Sequence, residues 1–297
     1  MDGFMDFSIL HDEVRFQRHV LEVLTSYPLD YLIQIDFWKE SKTGSTPWEC
    51  GGVLLPIFFA RDLRIGSSQK GEYVFLLNKR SKRVPQGGDL CAPGGRSHPI
   101  WDSIFQRLFQ MGLLPGAKGM RNRLIRSRER RLYELVLFFW SNALRESWEE
   151  LRLNPFNVEF LGPFKTYRLQ SRRWIIFPLV GKIKNAWEVK LSTEVEKLVE
   201  IPITAFFQPG HYAICKFEIS NEMSPQGSPR SREVPCLIFG EKEKEEILWG
   251  ATYTIIREFL KVVMDEPLPF PDGRRIVHRS LAFNYYTGSQ QRRKGLP

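Results

Sequence analysis

The chain has 297 residues, of which 42% are apolar and 13% aromatic, so it can build a hydrophobic core and is not an intrinsically disordered protein. Its length allows one large domain with insertions or two smaller domains. Lys and Arg number 43 against 34 Asp and Glu, and the net charge of +9 favours a polyanionic partner: nucleic acid, an acidic membrane surface or a phosphorylated small molecule.

The N-terminal part is predicted to be helical. Residues 12–25 place apolar side chains at helical spacing, and we assign residues 1–45 to an N-terminal helical extension. Apolar runs at 51–59 and 72–77 then predict two strands that form a hairpin.

A glycine-rich stretch follows the hairpin. The chain passes through a basic run at 79–83 into residues 86–96, which contain four glycines in pairs. Glycines at this density let backbone N–H groups approach an anion closely, although the stretch is equally compatible with a simple loop.

Residues 103–142 are predicted to be a helical, basic insertion. A short helix is expected over 104–114, and residues 118–131 then hold seven basic residues against one acid, Glu129. From Ser127 a helical pattern continues into an acidic segment. Such a helix is basic at its N-terminal end, which opposes the helix dipole, so other contacts must stabilise it.

The acidic segment, residues 143–153, is the most informative part of the chain. On a helix, three carboxylates would share one face: Glu146, Glu149 and Glu150. The other side would be an apolar stripe facing a core: Leu144, Trp148 and Leu151. Crowded carboxylates repel one another unless a cation lies among them, and Mg²⁺ prefers such oxygen ligands. The plain alternative is a solvated acidic face.

After this segment the pattern alternates between short elements. Strands are predicted at 159–161, 174–180 and 213–219, a short helix at 193–198, and an amphipathic helix at 248–263. The short helix is expected because Thr193 could be its N-cap with Glu196 three residues later. Residues 266–297 are interpreted as a basic C-terminal tail.

Two of these stretches together resemble the signature of the Nudix hydrolases. Pro93-Gly94-Gly95 follows a predicted strand, and Arg145-Glu146 precedes Glu149-Glu150 on the predicted helix. Three further segments are similar to the coenzyme A pyrophosphatase branch of that family: Leu76 to Ser81, Thr193 to Ile203, and Ile247 to Thr252.

The resemblance implies an α/β fold, a Nudix-type α/β/α sandwich with a mixed central sheet. We expect it to occupy residues 46–265 and to carry the basic insertion at 103–142. The insertion splits the signature, with 49 residues between Gly95 and Arg145. Trp101 stands where the signature has its first acid, next to Asp102, and Arg152 stands at its closing glycine.

The implied activity is that of a metal-dependent pyrophosphohydrolase acting on coenzyme A-like or other nucleoside diphosphate-linked substrates. By the resemblance, Glu146, Glu149 and Glu150 would hold Mg²⁺ or Mn²⁺. Arg145 would pair with a glutamate of this set and orient it. The expected catalytic residues are therefore Glu149, Glu150 and Arg145, with Glu150 the nearest candidate for the general base.

Two glycines and two arginines are the expected substrate contacts. Gly94 and Gly95 would shape the floor of the site by the same resemblance. Arg80 and Arg83, within the basic run, would meet substrate phosphates, the extra phosphate of a coenzyme A nucleotide among them.

A different class of function stays open at this point. A catalytically inactive Nudix module could bind nucleotide or RNA through the basic insertion, whose arginines also suit a lid over a polyanionic substrate. A solvated face is the plain alternative for these arginines: Arg121, Arg123, Arg126, Arg128, Arg130 and Arg131. Aromatic residues are not interleaved with them, which weakens a base-stacking interpretation.

The remaining features concern location and assembly. The four cysteines are scattered without metal-ligand spacing, which favours reduced thiols over a disulfide framework or zinc site. The acidic start is unlike a signal peptide, and the longest apolar run, Leu135 to Trp140, is too short to span a bilayer. We expect a cytoplasmic protein without membrane contact, monomeric or homodimeric, whose partner is a phosphorylated small molecule and less readily RNA.

Overall fold

A computed structural model describes residues 7–44, 46–61, 71–112, 130–218, 231–240, 245–273, 275–281 and residue 285. Two helices open this part of the chain, α1 (Glu13–Ser26) and α2 (Tyr31–Ser41). Asp12 caps α1, because its Oδ1 accepts hydrogen bonds from the backbone N–H groups of the first turn. The helix predicted over 12–25 is confirmed.

The larger of two sheets has seven strands. They are β1 (Glu49–Ala60), β2 (Glu72–Arg80), β3 (Leu90–Cys91), β4 (Val158–Pro163), β5 (Tyr167–Leu169), β6 (Trp174–Ile183) and β7 (Val195–Pro202). Their order is β3-β2-β1-β6-β4, with β5 also on β6 and β7 also on β2. β1 and β6 are parallel and the other pairs antiparallel, so the expected α/β class with a mixed sheet is confirmed.

A second sheet is built from the C-terminal third of the chain. Its strands are β8 (Tyr212–Glu218), β9 (Ser231–Phe239), β10 (Glu246–Trp249) and β11 (Ile276–Ser280), in the order β10-β9-β8-β11. β11 pairs in parallel with β8. Part of the segment interpreted as a tail therefore belongs to a sheet.

The short helix predicted at 193–198 is wrong. These residues begin β7, which pairs antiparallel with β2 from Arg80–Val195 to Val74–Pro202. The backbone hydrogen bonds of β2 and the burial of Val195 and Ile201 outweigh a local N-cap signal, since helical propensity is weak against tertiary pairing.

Three more helices complete the fold: α3 (Pro99–Gln110), α4 (Arg130–Leu151) and α5 (Gly250–Met264). α3 begins before the predicted helix at 104–114, because Pro99 suits the first turn of a helix. Four insertion arginines lie outside the described residues: Arg121, Arg123, Arg126 and Arg128. None of the helices described is both long and apolar enough to cross a membrane.

Both faces of the larger sheet are covered. Along β2, Tyr73, Phe75 and Leu77 join a core cluster with residues of α1 and α5. The alternate residues Val74 and Leu76 join a second cluster with α2 and α4. Since successive side chains of a strand point to opposite faces, the acidic helix α4 lies on one face and α5 on the other.

Candidate functional site

The acidic helix is held directly against β1. A Cβ on Gly52 would lie 2.3 Å from the carbonyl oxygen of Phe139 in α4, so this approach requires glycine. The backbone N–H of Gly52 donates to Oδ1 of buried Asn142, one turn before the acidic residues. The Phe139 ring stacks on Phe177 of β6 with 3.7 Å between ring centres. The position of α4 is therefore fixed over its middle turns.

The glycine-rich stretch runs along the same strand. Leu54 N–H donates to the Pro93 carbonyl at 2.8 Å, and Ser97 N–H donates to the Cys50 carbonyl at 3.0 Å. Residues 93–97 therefore lie antiparallel beside β1. Nδ2 of Asn142 donates to the carbonyl of Arg96. The side-chain amide of Asn142 therefore hydrogen-bonds both to β1 and to the glycine-rich stretch.

Gly94 and Gly95 place the loop in contact with the acidic helix. Gly94 has φ +154°, and a Cβ there would lie 2.6 Å from the Gly52 carbonyl. A Cβ on Gly95 would lie 2.5 Å from the carboxyl group of Glu146. The predicted glycines and the first predicted carboxylate thus meet in space, although the insertion separates them in the sequence.

The three predicted carboxylates do not share one environment. Glu146 and Glu150 are largely buried, and Oε2 of Glu150 accepts a hydrogen bond of 2.8 Å from Nδ2 of buried Asn78 in β2. Glu149 lies at the edge, with 55% of its side chain exposed. The structure therefore brings Glu146 and Glu150 together at the glycine loop and leaves Glu149 facing solvent.

Burial changes the acidity of the two inner carboxyl groups. Desolvation is the main cause that raises the pKa of Glu146 to about 7 and that of Glu150 to about 8, and the charge of Glu146 adds to the shift at Glu150. A cation between these groups would favour their charged forms. The oxygen donors present therefore suit a hard divalent ion, although no three His, Cys, Asp or Glu side chains of the described ranges converge as a ready metal cluster.

Arg145 connects the carboxyl groups. Its Nε lies 2.8 Å from Oδ1 of Asp102, its Nη2 2.7 Å from Oε1 of Glu146, and its Nη1 3.1 Å from Oε1 of Glu149. Asp102 is fully buried in α3, and its other oxygen accepts a 2.6 Å hydrogen bond from the His98 N–H. Arg145 is thus anchored from α3 while it holds two glutamates of the acidic segment.

The two arginines predicted to bind substrate lie in different environments. Arg80 is half-buried at the end of β2, where its Nε donates to the Pro85 carbonyl at 2.8 Å, and its charge acts on the carboxyl group of Glu150. It lines a cavity of about 360 Å³ that Gly94 also lines. Arg83 is exposed and does not line this cavity, so the structure brings only Arg80 to the site.

Several solved structures similar to this chain are Nudix hydrolases. A Nudix hydrolase from Nitrosomonas europaea is 12% identical, with 80% of this chain and 82% of that chain covered and a TM-score of 0.34. An Ap4A hydrolase from C. elegans is 15% identical, with 52% and 81% covered and a TM-score of 0.33.

A third similar structure is the Nudix domain of Shewanella oneidensis NrtR complexed with ADP ribose, 13% identical, with 56% and 83% covered and a TM-score of 0.30. No protein-family model matches this chain, and no curated protein matches it in sequence. Identity and TM-scores are low throughout, so the assignment of a function rests on the residues and geometry of this chain.

The apolar stripe predicted on α4 is wrong at one position. Leu144 and Leu151 are buried, whereas Trp148 is 42% exposed and lies beside the guanidinium of Arg152. The buried side of the last turns is centred on Ser147. Because Trp148 follows Ser147 by one residue, about 100° around the helix, it points to solvent.

Sequence reasoning gave the two buried amides no role, and it named Asp102 only as an aspartate that could match one found a few residues past the glycines. Asn78 and Asn142 hydrogen-bond a carboxyl group and the backbone of the site. Asn142 belongs to no charged or glycine-rich pattern, whereas Asn78 lies within the segment Leu76 to Ser81 that carries part of the resemblance. For Asp102 the available signal was its place close to the glycines and to a predicted helix, and that signal did not identify Arg145 as its partner.

Proposed function

We propose that this chain is a Nudix-type hydrolase, with an α/β/α sandwich over residues 46–265, that cleaves a diphosphate bond in coenzyme A-like or other nucleoside diphosphate-linked substrates. One observation carries the proposal. Two largely buried carboxyl groups, Glu146 and Glu150, meet a glycine loop beside a cavity, and Arg145 is held among them by buried Asp102.

The proposed cofactor is Mg²⁺ or Mn²⁺. Glu146 and Glu150 would hold the ion, with Glu149 beside them at the solvent edge. When bound, such an ion neutralises charge on the diphosphate oxygens and lowers the pKa of a coordinated water.

The protein groups would position the reactants. Arg145 fixes the rotamers of Glu146 and Glu149 through separate nitrogens, and Asn78 fixes Glu150. Glu150 is the proposed general base, the carboxylate that would accept a proton from the attacking water. Arg80 lines the cavity and its charge acts on Glu150, so it would pair with a substrate phosphate at that end.

The test is turnover of a substrate panel by purified protein with Mg²⁺: coenzyme A, ADP-ribose, NADH and dinucleoside polyphosphates. A Glu150→Gln variant should lose activity by roughly 10²–10⁴-fold. The matched control is Glu188→Gln, since the Glu188 side chain is 82% exposed, and it should keep full activity.

Two results would make the proposal wrong: no compound of the panel turned over by the parent protein, or equal rates for the parent and Glu150→Gln. RNA binding at two salt concentrations then tests the inactive-module alternative, because affinity carried by phosphates falls steeply as salt rises.

A further inference from the structure

Helix α3 turns an apolar face toward solvent. Three large apolar residues of the helix and one directly after it each expose between 43% and 72% of their surface: Ile100, Trp101, Ile104 and Met111. Ile100, Ile104 and Met111 lie within about 40° of one another around the helix axis, and Trp101 borders them. We call these four residues the outer face of α3. A contiguous apolar patch of this kind marks an interaction surface.

The opposite side of α3 holds the helix firmly on the rest of the fold. Asp102 is buried and lies 2.8 Å from Nε of Arg145. Phe109 is buried in the core cluster that contains α4. Nε2 of Gln106 donates to the carbonyl of Glu134 in α4 at 2.8 Å. The outer face therefore belongs to a packed helix whose apolar side chains remain exposed.

The surroundings of the outer face are basic. Arg107 is exposed and lies between Ile104 and Met111 on the same side of the helix. Residues 113–129, which connect α3 to α4 and lie outside the described residues, carry five cations against one acid. Together with the net charge of +9, this favours an anionic partner for this side of the molecule.

The combination of apolar and basic residues separates three kinds of occupant. A second copy of this chain could cover the apolar side chains, but it carries the same charge of +9 and would be repelled. RNA would neutralise the cations but leave the aliphatic side chains in water, because these cannot stack on bases as aromatic rings do. A bilayer with anionic lipids satisfies both, since it takes up apolar side chains and attracts cations.

We propose that the outer face of α3 docks on the surface of a bilayer that contains anionic lipids. Its isoleucines and Met111 would lie among the headgroups, with Trp101 at the interface and Arg107 paired with lipid phosphates. The sequence alone led us to expect no membrane contact, because its longest apolar run is too short to span a bilayer. A helix that lies on a bilayer needs only an exposed apolar face. Docking would bring the acidic site near the headgroups, since Asp102 of the same helix holds Arg145.

Co-sedimentation of the full-length protein with lipid vesicles tests the proposal. Binding to vesicles of phosphatidylcholine with about one third phosphatidylglycerol should be tighter than to phosphatidylcholine alone by roughly tenfold or more, and should weaken as salt rises. Ile104→Ser should weaken binding to the anionic vesicles by roughly 3- to 10-fold, because it removes an apolar side chain from the contact. The matched control is Ile276→Ser, an exposed isoleucine of β11 in the second sheet, which should bind as the parent does.

Three results would overturn the proposal. The first is that the parent protein does not bind the anionic vesicles. The second is equal binding by the parent and Ile104→Ser, which would assign the contact to basic charge alone. The third is a dimer of the parent in light scattering that Ile104→Ser abolishes, which would assign the face to a second copy. If circular dichroism shows that Ile104→Ser folds poorly, Met111→Ser tests the same face, because Met111 lies beyond the end of α3 and is exposed.

Discussion

Arg145 makes a contact that only a guanidinium can make. Three nitrogens of one side chain reach three carboxyl groups, on Asp102, Glu146 and Glu149, and Nη2 also donates to the Arg96 carbonyl. The side chain is 11% exposed, so solvent screens these interactions little. A lysine would keep the charge and lose the forked geometry.

We therefore predict that Arg145→Lys lowers the turnover of the best substrate by roughly 10- to 100-fold, since the glutamates lose their fixed orientation. Steady-state kinetics at saturating Mg²⁺ measure the effect. Arg130→Lys is the matched control, because the Arg130 side chain is 90% exposed and pairs within α4 with Glu134. Equal loss in both variants would contradict the role given to Arg145.

Arg152 occupies a backbone conformation that favours glycine. It follows the last residue of α4, has φ +54°, and donates its N–H to the Trp148 carbonyl. This left-handed position after a helix costs a residue with a Cβ about 1 kcal/mol. Position 152, where the resemblance leads us to expect a glycine, therefore has a backbone conformation that favours glycine.

Comparison of Arg152→Gly with Arg152→Ala isolates this backbone cost, because both variants lose the contact with Trp148. The glycine variant should be more stable than the alanine variant by about 1 kcal/mol in the free energy of unfolding. Urea titration measures the difference. Equal midpoints and slopes for the two variants would show that position 152 carries no such strain.

Local sequence predicted part of the site at this scale. A helical period places Arg145, Glu146 and Glu150 on neighbouring turns, and glycine density marks Gly94 and Gly95 as a loop. The partner of Arg145 lies 43 positions away at Asp102. Such a pairing depends on how α3 packs against α4, which no local pattern encodes.

At the scale of elements, the approach of α4 to β1 determines the site. The Phe139 carbonyl fills the space where a side chain at Gly52 would stand, and Asn142 bonds to the same residue. Any shift of α4 away from β1 would also move Glu146 away from Gly95. The geometry of the site thus depends on a contact one to two turns before the acidic residues.

Gly52→Ala should accordingly destabilise the protein by roughly 1–3 kcal/mol or more, because overpacking against backbone has no rotamer to relieve it. Thermal unfolding followed by circular dichroism measures the loss. Gly210→Ala is the matched control, since no atom lies within 4 Å of a Cβ built there. If the Gly52→Ala and Gly210→Ala proteins unfolded at the same temperature, the close packing of α4 against β1 would be contradicted.

The whole molecule includes its N-terminal helix in the core. Lys182, 8% exposed in β6, lies 2.9 Å from Oε1 of Glu13 in α1, and it also bonds to Gln17. The hydrogen bond from Lys182 lowers the pKa of Glu13 below its ordinary value of 4.5. The ionised form of Glu13 is therefore favoured by folding.

Because folding lowers the pKa of Glu13, its carboxylate stabilises the folded protein above pH 4.5, the pKa in the unfolded chain. This stabilisation is lost as the pH falls through the lower pKa of the folded state. Glu13→Gln should lower the free energy of unfolding by about 1 kcal/mol at pH 7, a figure reduced for the part-exposed carboxylate. The difference from the parent should shrink as pH falls below 4.5. Urea unfolding of both proteins, at pH 7 and at a pH below 4.5, measures the difference in the free energy of unfolding.

Glu22→Gln is the control for this pH dependence, because Glu22 is exposed on the same helix. It should match the parent protein at both pH values. If the effect of Glu13→Gln were the same at low pH as at pH 7, the ion pair with Lys182 would not be its cause.

The sequence by itself determined the α/β class, the helix of α1, most strands of the larger sheet, and the acidic and glycine-rich segments of the site. The helix, the strands and the two segments follow from periodicity and residue type, which act over a few positions, and the α/β class follows from the resemblance that those two segments carry. The tertiary structure alone decided that 195–202 is a strand, that Asp102 anchors Arg145, and that Arg80 rather than Arg83 reaches the cavity. Each of these depends on packing between distant segments, where burial and long-range hydrogen bonds outweigh local preference.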